Sequence, residues 1–296
     1  MNSLSIEWKV NSEDDGKLLR QFLREDKLIS KRALADVKFS GGAIFVNGEE
    51  STVRRTLVAG DVVLITFPDE VRSTAIRPEE IPLEIIYEDD HFLIVNKPAG
   101  MATIPSREHP SGTLANAVLA YYDVIESRST FHAVNRLDRD TSGIVVIAKH
   151  RYAHDLLSRQ QKDGRLKRQY LIIAEGQLPE ECGTIRAPIG RKDGSIIERE
   201  VREDGQHAIT HYKVVRRTRA WTVASVKLET GRTHQIRVHF SSIGHPLAGD
   251  DLYGGRKNFI ERQALHSIET SFYHPFKEKT ITLKAPIPID LEQFMG

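Results

Sequence analysis

The sequence predicts an α+β chain in two parts, and three observations lead there. Within residues 1–72, two short helical patterns are followed by two strand patterns, which makes a small helix-plus-strand module. Residues 73–82 fall in a stretch, Pro68 to Pro82, that carries three prolines and several charges but no apolar period, so it reads as a linker. Residues 83–296 mix short strands with amphipathic helices and show no internal repeat. At 296 residues, 40% hydrophobic and 28% charged, the chain is long enough to bury a sizeable core in each of two domains.

Composition narrows the function classes. The longest apolar runs are about five residues, far short of the ~20 that a membrane helix needs. Met1 to Val10 lacks the basic-then-apolar pattern of a signal peptide, so a cytoplasmic protein with no membrane partner is expected. Cys182 is the only cysteine, which excludes an intrachain disulfide and a cysteine-based metal site within one chain. With no His-Glu-x-x-His among its twelve histidines, no metal is expected. Net charge is only +1, so any attraction to nucleic acid must come from how the 42 basic residues are distributed.

The elements follow in order. Ser3 to Val10 alternates as a short strand, and Asn11 to Gly16 supplies a polar turn. Leu18, Leu19, Phe22 and Leu23 fall at helical spacing; Ser30 is the N-cap of a second helix with Leu34 and Val37 on its apolar side, ended by Gly41-Gly42. From Lys17 to Lys38 seven basic residues face three acids, a local net of +4 carried on these two helices. Ala43 to Val46 is a strand entering a tight turn at Asn47-Gly48, and Gly60-Asp61 opens another from Val62 to Phe67.

Beyond the linker, Ile85 to Glu88 and Phe92 to Val95 are strands joined by an acidic turn, and Asn96-Lys97-Pro98-Ala99-Gly100 breaks the second, with Pro98 and Gly100 in turn roles. Thr113 to Tyr122 is helical, and so is the stretch marked by Tyr152, Leu156 and Leu157, where Lys149 to Arg168 carries a local net of +5. Arg168 to Ile173 and Trp221 to Leu228 are strands, with an exposed loop or hairpin at Gly190 to Gly205 between them. Thr233 should cap a helix with Ile236, Phe240 and Ile243 on one face, and Thr280 to Ala285 is a terminal strand.

The stretch that stands out is Asn135-Arg136-Leu137-Asp138-Arg139-Asp140-Thr141-Ser142-Gly143, directly ahead of the apolar strand Ile144 to Ala148. A polar loop held at the mouth of a core strand is rigid, which is the fixing that a reactive carboxylate needs, and Asp138 is the candidate. Such a stretch alone also reads as a solvated turn.

Arg-Leu-Asp-x-x-Thr-Ser-Gly resembles the signature of the RluA-type RNA pseudouridine synthases, and three further segments agree with it: Asn96 to Gly100, Thr230-Gly231-Arg232-Thr233-His234-Gln235-Ile236-Arg237-Val238-His239, and Ala248 to Gly254 with Gln263 to His266. The resemblance covers essentially the whole chain. It implies a catalytic domain at residues 83–296 built on a mixed, largely antiparallel sheet flanked by helices and loops. It also implies isomerisation of uridine to pseudouridine in structured RNA, ribosomal RNA first and transfer RNA second, by a monomer without cofactor. Asp138 would be the catalytic group, Arg237 the active-site arginine, Ile236 the apolar residue beside it, Tyr170 the aromatic of a Lys-x-Tyr motif, and Arg136 the side chain that fills the space of the flipped base. Arg168 replaces that motif's lysine, and Asn135 stands where the family usually has His. Residues 1–72 resemble the alpha-L RNA-binding motif first described in a small-subunit ribosomal protein, by which Lys31, Arg32 and Lys38 would contact phosphates.

The isomerisation breaks the bond from ribose to a ring nitrogen, rotates the uracil and rejoins it through carbon, so it needs no redox group. A carboxylate must act on the sugar, either as nucleophile at the anomeric carbon or as base at its neighbour. Arg237 would keep Asp138 charged and aimed. Two rivals exist. Asp138-Arg139-Asp140 superficially matches the Asp-x-Asp loop of an aspartyl phosphotransferase, but there the apolar strand should precede the acids. A noncatalytic RNA-binding protein has no need of Asp138, Tyr170 and Arg237 together.

Overall fold

A computed structural model describes residues 4–296, so Ser3, where the first strand was expected to begin, lies outside the described residues. The first unit has strands β1 (Ser5–Lys9), β2 (Ala43–Val46), β3 (Glu49–Glu50) and β4 (Val62–Thr66), antiparallel in the order β1-β4-β2-β3. Helix α1 (Leu19–Gln21) runs on as a π-helical turn over Phe22–Asp26, and together they bury Leu19, Phe22 and Leu23. Helix α2 (Lys31–Phe39) starts as its sequence dictates: Ser30 Oγ accepts from the Ala33 N–H at 3.2 Å, and Ala33, Leu34 and Val37 face inward. Asn47 and Gly48 both have positive φ, 54° and 80°, the two-residue turn whose twist matches that of paired strands.

Irregular chain from Pro68 leads to β5 (Ile85–Glu88). It is docked at two points. Glu70 accepts from His132 Nε2 at 2.7 Å, Thr130 Oγ at 2.9 Å and the Arg151 N–H at 2.6 Å, while Arg72 donates to the Ser127 and Ser129 carbonyls and pairs with Asp123.

The second unit continues with β6 (Phe92–Lys97), α3 (Leu114–Val124), β7 (His132–Ala133), β8 (Ser142–Ala148), α4 (Arg151–Lys162) and β9 (Lys167–Glu175). After β10 (Cys182–Arg186) come the hairpin strands β11 (Ile189–Arg191) and β12 (Arg199–Val201), then β13 (Ile209–Arg217), β14 (Trp221–Leu228) and α5 (Gln235–Ser242). Strands β15 (Leu265–His274) and β16 (Lys279–Lys284) and helix α6 (Ile289–Glu292) complete the chain. Among the described residues these make a ten-stranded sheet with the path β10-β13-β14-β9-β15-β8-β6-β5, plus β16 on β15 and β7 on β8. Its pairings are antiparallel except β15 with β8, so the α+β chain is built on a mixed, largely antiparallel sheet.

Strand alternation divides the core. Leu93, Val95, Val145 and Ile147 face α3 and α5, whereas Phe92, Ile94, Ile144 and Val146 face α4. Tyr152 and Leu156 of α4 belong instead to the core of the first unit, which joins the two units through buried apolar surface. Among the described residues no helix is long and apolar enough to cross a membrane.

Two expectations are corrected. Helix α5 is entered through His234 in the left-handed region, φ 56°, and not through a Thr233 cap. Ile243 lies outside it and is 40% exposed, because the helix ends one residue earlier at Ser242.

Three histidines make the fold acid-sensitive. Burial holds His91 at about 4, His150 at about 3 and His266 at about 4, with the neighbouring ring of His91 adding to the effect at His150 and Arg262 at His266. Below the unfolded value of about 6.5 the unfolded chain binds protons that these folded sites refuse, so stability falls with pH down to about 4. Burial raises the Glu70 carboxyl, but His132 and the Arg151 N–H outweigh it and hold the group at about 2, so its contribution is lost below about 4.5. The urea midpoint should therefore fall steadily from pH 7 to pH 4 and further below; an unchanged midpoint between pH 7 and pH 4 contradicts this account.

Candidate active site

The loop between β7 and β8 is fixed by side chains from several other elements. Asn135 acts as a peptide mimic for β8: its Nδ2 donates to the Ile144 carbonyl at 3.2 Å and its Oδ1 accepts from the Val146 N–H at 2.8 Å. The Thr103 hydroxyl accepts from the Leu137 N–H at 3.1 Å and donates to the Leu137 carbonyl at 2.8 Å. Lys97, fully buried at the end of β6, donates to the carbonyls of Arg139 at 3.0 Å, Pro98 at 2.8 Å and Met101 at 2.6 Å. Arg262 Nη1 donates to the Asp140 carbonyl at 3.1 Å, and Gln263 Nε2 to Thr141 Oγ1 at 3.2 Å. At the loop's exit Gly143 has φ 110°, and a β-carbon there would collide with the Ser267 backbone where β8 lies parallel to β15.

Asp138 sits at the crest of this loop with its side chain 28% exposed. Arg237, in the first turn of α5 and only 6% exposed, donates from Nη1 to Asp138 Oδ2 at 3.1 Å. Its other edge meets Asp250 in a fork: Nε to Oδ2 at 2.7 Å and Nη2 to Oδ1 at 2.7 Å. Asp250, whose side chain is wholly buried, thus takes both prongs of the fork, and Asp138 receives a single N–H. Burial pulls the Arg237 pKa down, but Asp250 and Asp138 push it above the usual guanidinium value, so it is charged at any working pH.

Three more groups crowd this pair. The Tyr253 ring lies 4.9 Å from the Arg237 guanidinium carbon, and the Tyr253 hydroxyl accepts from the Arg199 N–H at 2.9 Å and meets His234 Nδ1 at 2.7 Å. His234 Nε2 lies 3.8 Å from Asp138 Oδ2. Burial lowers the His234 pKa against the opposing pull of Asp138, and burial likewise brings Lys97 to about 7 while Asp138 and Asp140 act against it. The start of α5 is set by Gln235, whose Oε1 accepts from the Arg232 N–H at 2.9 Å and Thr230 Oγ1 at 2.8 Å, the work the sequence argument gave to Thr233.

Tyr170 and Ile236, each 4% exposed, lie in the same apolar cluster as Leu137, the neighbour of Asp138 in the loop. Arg136 is exposed and, among the described residues, makes no hydrogen bond or ion pair. Lys31, Arg32 and Lys38 are exposed on α2 in the other unit and form no ion pair among the described residues; Lys38 lies 4.6 Å from the centroid of the Phe39 ring. A cavity of about 540 Å³ between the two units, lined by Phe67, Glu70, Lys149 and Tyr152 among others, does not include Asp138. Among the described residues no three His, Cys, Asp or Glu side chains gather in a way that could hold a metal ion.

Sequence reasoning passed over Asp250, His234 and Lys97. The first two stand inside quoted family segments without a role, and Lys97 was hidden in a segment read for the turn-forming Pro98 and Gly100. A lysine followed by Pro-Ala-Gly and directly preceded by five strand residues is the signal that could have exposed it, because such a side chain has to be buried or turned out.

Comparison with known proteins places the chain in a family. Residues 91–242 match the family model described as RNA pseudouridylate synthase. An uncharacterised RNA pseudouridine synthase of Bacillus subtilis is 49% identical over 90% of this chain and 94% of its own. A protein of Xanthomonas campestris named ribosomal large subunit pseudouridine synthase D is 38% identical over 90% of this chain and 84% of its own. Among solved structures, human RNA pseudouridylate synthase domain containing 1 superposes with a TM-score of 0.59 at 26% identity, covering 71% of this chain and 85% of that one. The chain belongs to the RNA pseudouridine synthase family.

Proposed function

We propose that the chain isomerises specific uridines in structured RNA, ribosomal RNA in the first place, with Asp138 as the catalytic group. The observation that carries this is the chain of contacts from Asp250 through Arg237 to Asp138, which holds one partly exposed carboxylate against a fixed guanidinium in a rigid loop. Ribosomal RNA is favoured because relatives at 37–38% identity are named for the ribosomal large subunit.

The uridine must leave its stack to reach Asp138. Arg136, exposed two residues away and without a partner in the fold, enters the space it vacates. Tyr170 and Ile236 wall the extruded base. Asp138 acts on the ribose at or beside the anomeric carbon. The bond from that carbon to the ring nitrogen breaks with its electron pair left on the uracil, the uracil turns, carbon 5 bonds to the anomeric carbon, and a base, for which the Tyr170 hydroxyl is the candidate, takes the proton from carbon 5 while the freed nitrogen gains one. Residues 1–72 act as an RNA-binding module, with Lys31, Arg32 and Lys38 on phosphates, ahead of a linker at 73–82 and the catalytic domain at 83–296. A cytoplasmic monomer performs all of these steps.

Three variants test the assignment. Asp138→Asn should fold, bind RNA as before and form no detectable pseudouridine; turnover near that of the wild type overturns the mechanism and favours another group. Asp250→Asn keeps the shape but removes the charge that fixes Arg237, so stability should drop by about 3 kcal/mol and the single-turnover rate by roughly 100-fold, with RNA affinity little changed. An unaltered rate would mean that Asp138 needs no oriented guanidinium. Arg136→Ala should slow conversion of a folded stem-loop far more than that of a short, already unstacked oligonucleotide, and equal losses on both would remove Arg136 from base flipping.

A further inference from the structure

Arg168 has no part in the chemistry above. It stands two residues before Tyr170 on β9, so the two side chains leave the same face of the strand about 7 Å apart. Among the described residues its guanidinium makes no hydrogen bond and no ion pair, and its Nε is closed off from solvent without an acceptor. Acids on the flanking segments are engaged elsewhere, Glu229 with His211 at 2.6 Å and Glu269 with Lys284 at 3.5 Å. The guanidinium rests on Gly231, where a β-carbon would stand 3.2 Å from Nη2 and 3.6 Å from Nη1. Gly231 opens the short segment that ends at His234, whose Nε2 is 3.8 Å from Asp138.

A partly desolvated guanidinium with no acceptor is unfavourable, and folds retain such a group where a ligand completes it. The ligand chemistry is set by the fork: its parallel N–H groups match two oxygens of a phosphate. We propose that Arg168 binds the phosphate of the nucleotide being isomerised, an inference that rests on the uridine-isomerising reading. Tyr170 faces the base and Arg168, one repeat along the same strand face, takes the phosphate of the same nucleotide; their spacing is of the order of the distance between a base and its own phosphate. The extruded nucleotide is thereby held at both ends while Asp138 acts between them on the ribose.

The test uses the full chain and a synthetic stem-loop around a uridine that the wild type converts, made with the 5′ phosphate of that uridine either normal or replaced by an uncharged methylphosphonate. Arg168→Gln should raise KM about tenfold with a smaller effect on kcat, and reduce the slope of log affinity against log salt by about 0.7 to 0.9. Arg168→Lys should restore the salt slope but only part of the affinity, because the charge remains and the fork does not. The methylphosphonate should weaken the wild type about tenfold and leave Arg168→Gln nearly unaffected. Additive losses from the two changes, or a methylphosphonate that the wild type tolerates, overturn the inference alone. Because the methylphosphonate acts on the RNA, a wild type that tolerates it overturns the inference even if Arg168→Gln folds poorly, and Arg168→Lys then carries the non-additivity arm. A wild type that converts no uridine in total RNA overturns the functional reading and this inference with it.

Discussion

Everything at the site hangs on one guanidinium gripped from behind. Arg237 is almost wholly buried, and a buried charge is tolerable only with its donors satisfied. Asp250 takes the Nε and Nη2 edge, which fixes the plane of the fork. The remaining Nη1 then points where that plane sends it, to Asp138. Asp250 is therefore the anchor and Asp138 the beneficiary. Asp138 accepts a single N–H, at Oδ2, so the arginine leaves its Oδ1 unbonded.

That arrangement works only if the Asp138 loop cannot drift, and the sheet topology supplies the restraint. The loop runs into β8 at the sheet's one parallel pairing, where β15 comes so close that only glycine fits at position 143. Lys97 at the end of β6 and Arg262 ahead of β15 then hold consecutive loop carbonyls, Arg139 and Asp140, from two neighbouring strands. A cationic donor to a carbonyl makes a stronger bond than a neutral one. Burial draws Lys97 to about 7, so this support comes from a group whose charge is itself in play near neutrality.

Much of this was legible in the sequence, and the boundary is physical. The unbroken apolar run at Ile144 to Ala148 and the clean alternation from Trp221 to Leu228 are strands as read, because nothing interrupts their period. Strands β13 and β15 escaped notice because each carries a register shift, at Val214/Arg216 and Ser267/Glu269, and because β15 buries His266, Ser267, Thr270 and His274 where a pattern reader looks for apolar residues. Asp138 stood out as a candidate at the mouth of a core strand, where the stretch alone also reads as a solvated turn and the family resemblance tips the reading. The fork from Asp250 could not, because it joins residues 13 apart that in turn reach one 99 apart, and no local pattern records such a meeting.

The same limit applies between the two units. A proline-bearing stretch reads as a flexible tether, yet Glu70 and Arg72 fasten its start to residues 123–151, and Tyr152 and Leu156 of α4 complete the core of the first unit. The basic face of α2 is thus presented from a fixed position beside the catalytic sheet and not from a swinging arm. Rigid presentation removes the entropy of positioning the module anew at each encounter, at the expense of reach. In the proposed function, an RNA held on Lys31, Arg32 and Lys38 would offer Asp138 only those uridines that lie at the distance the two units set. Selection among uridines would then fall partly to the geometry between the units.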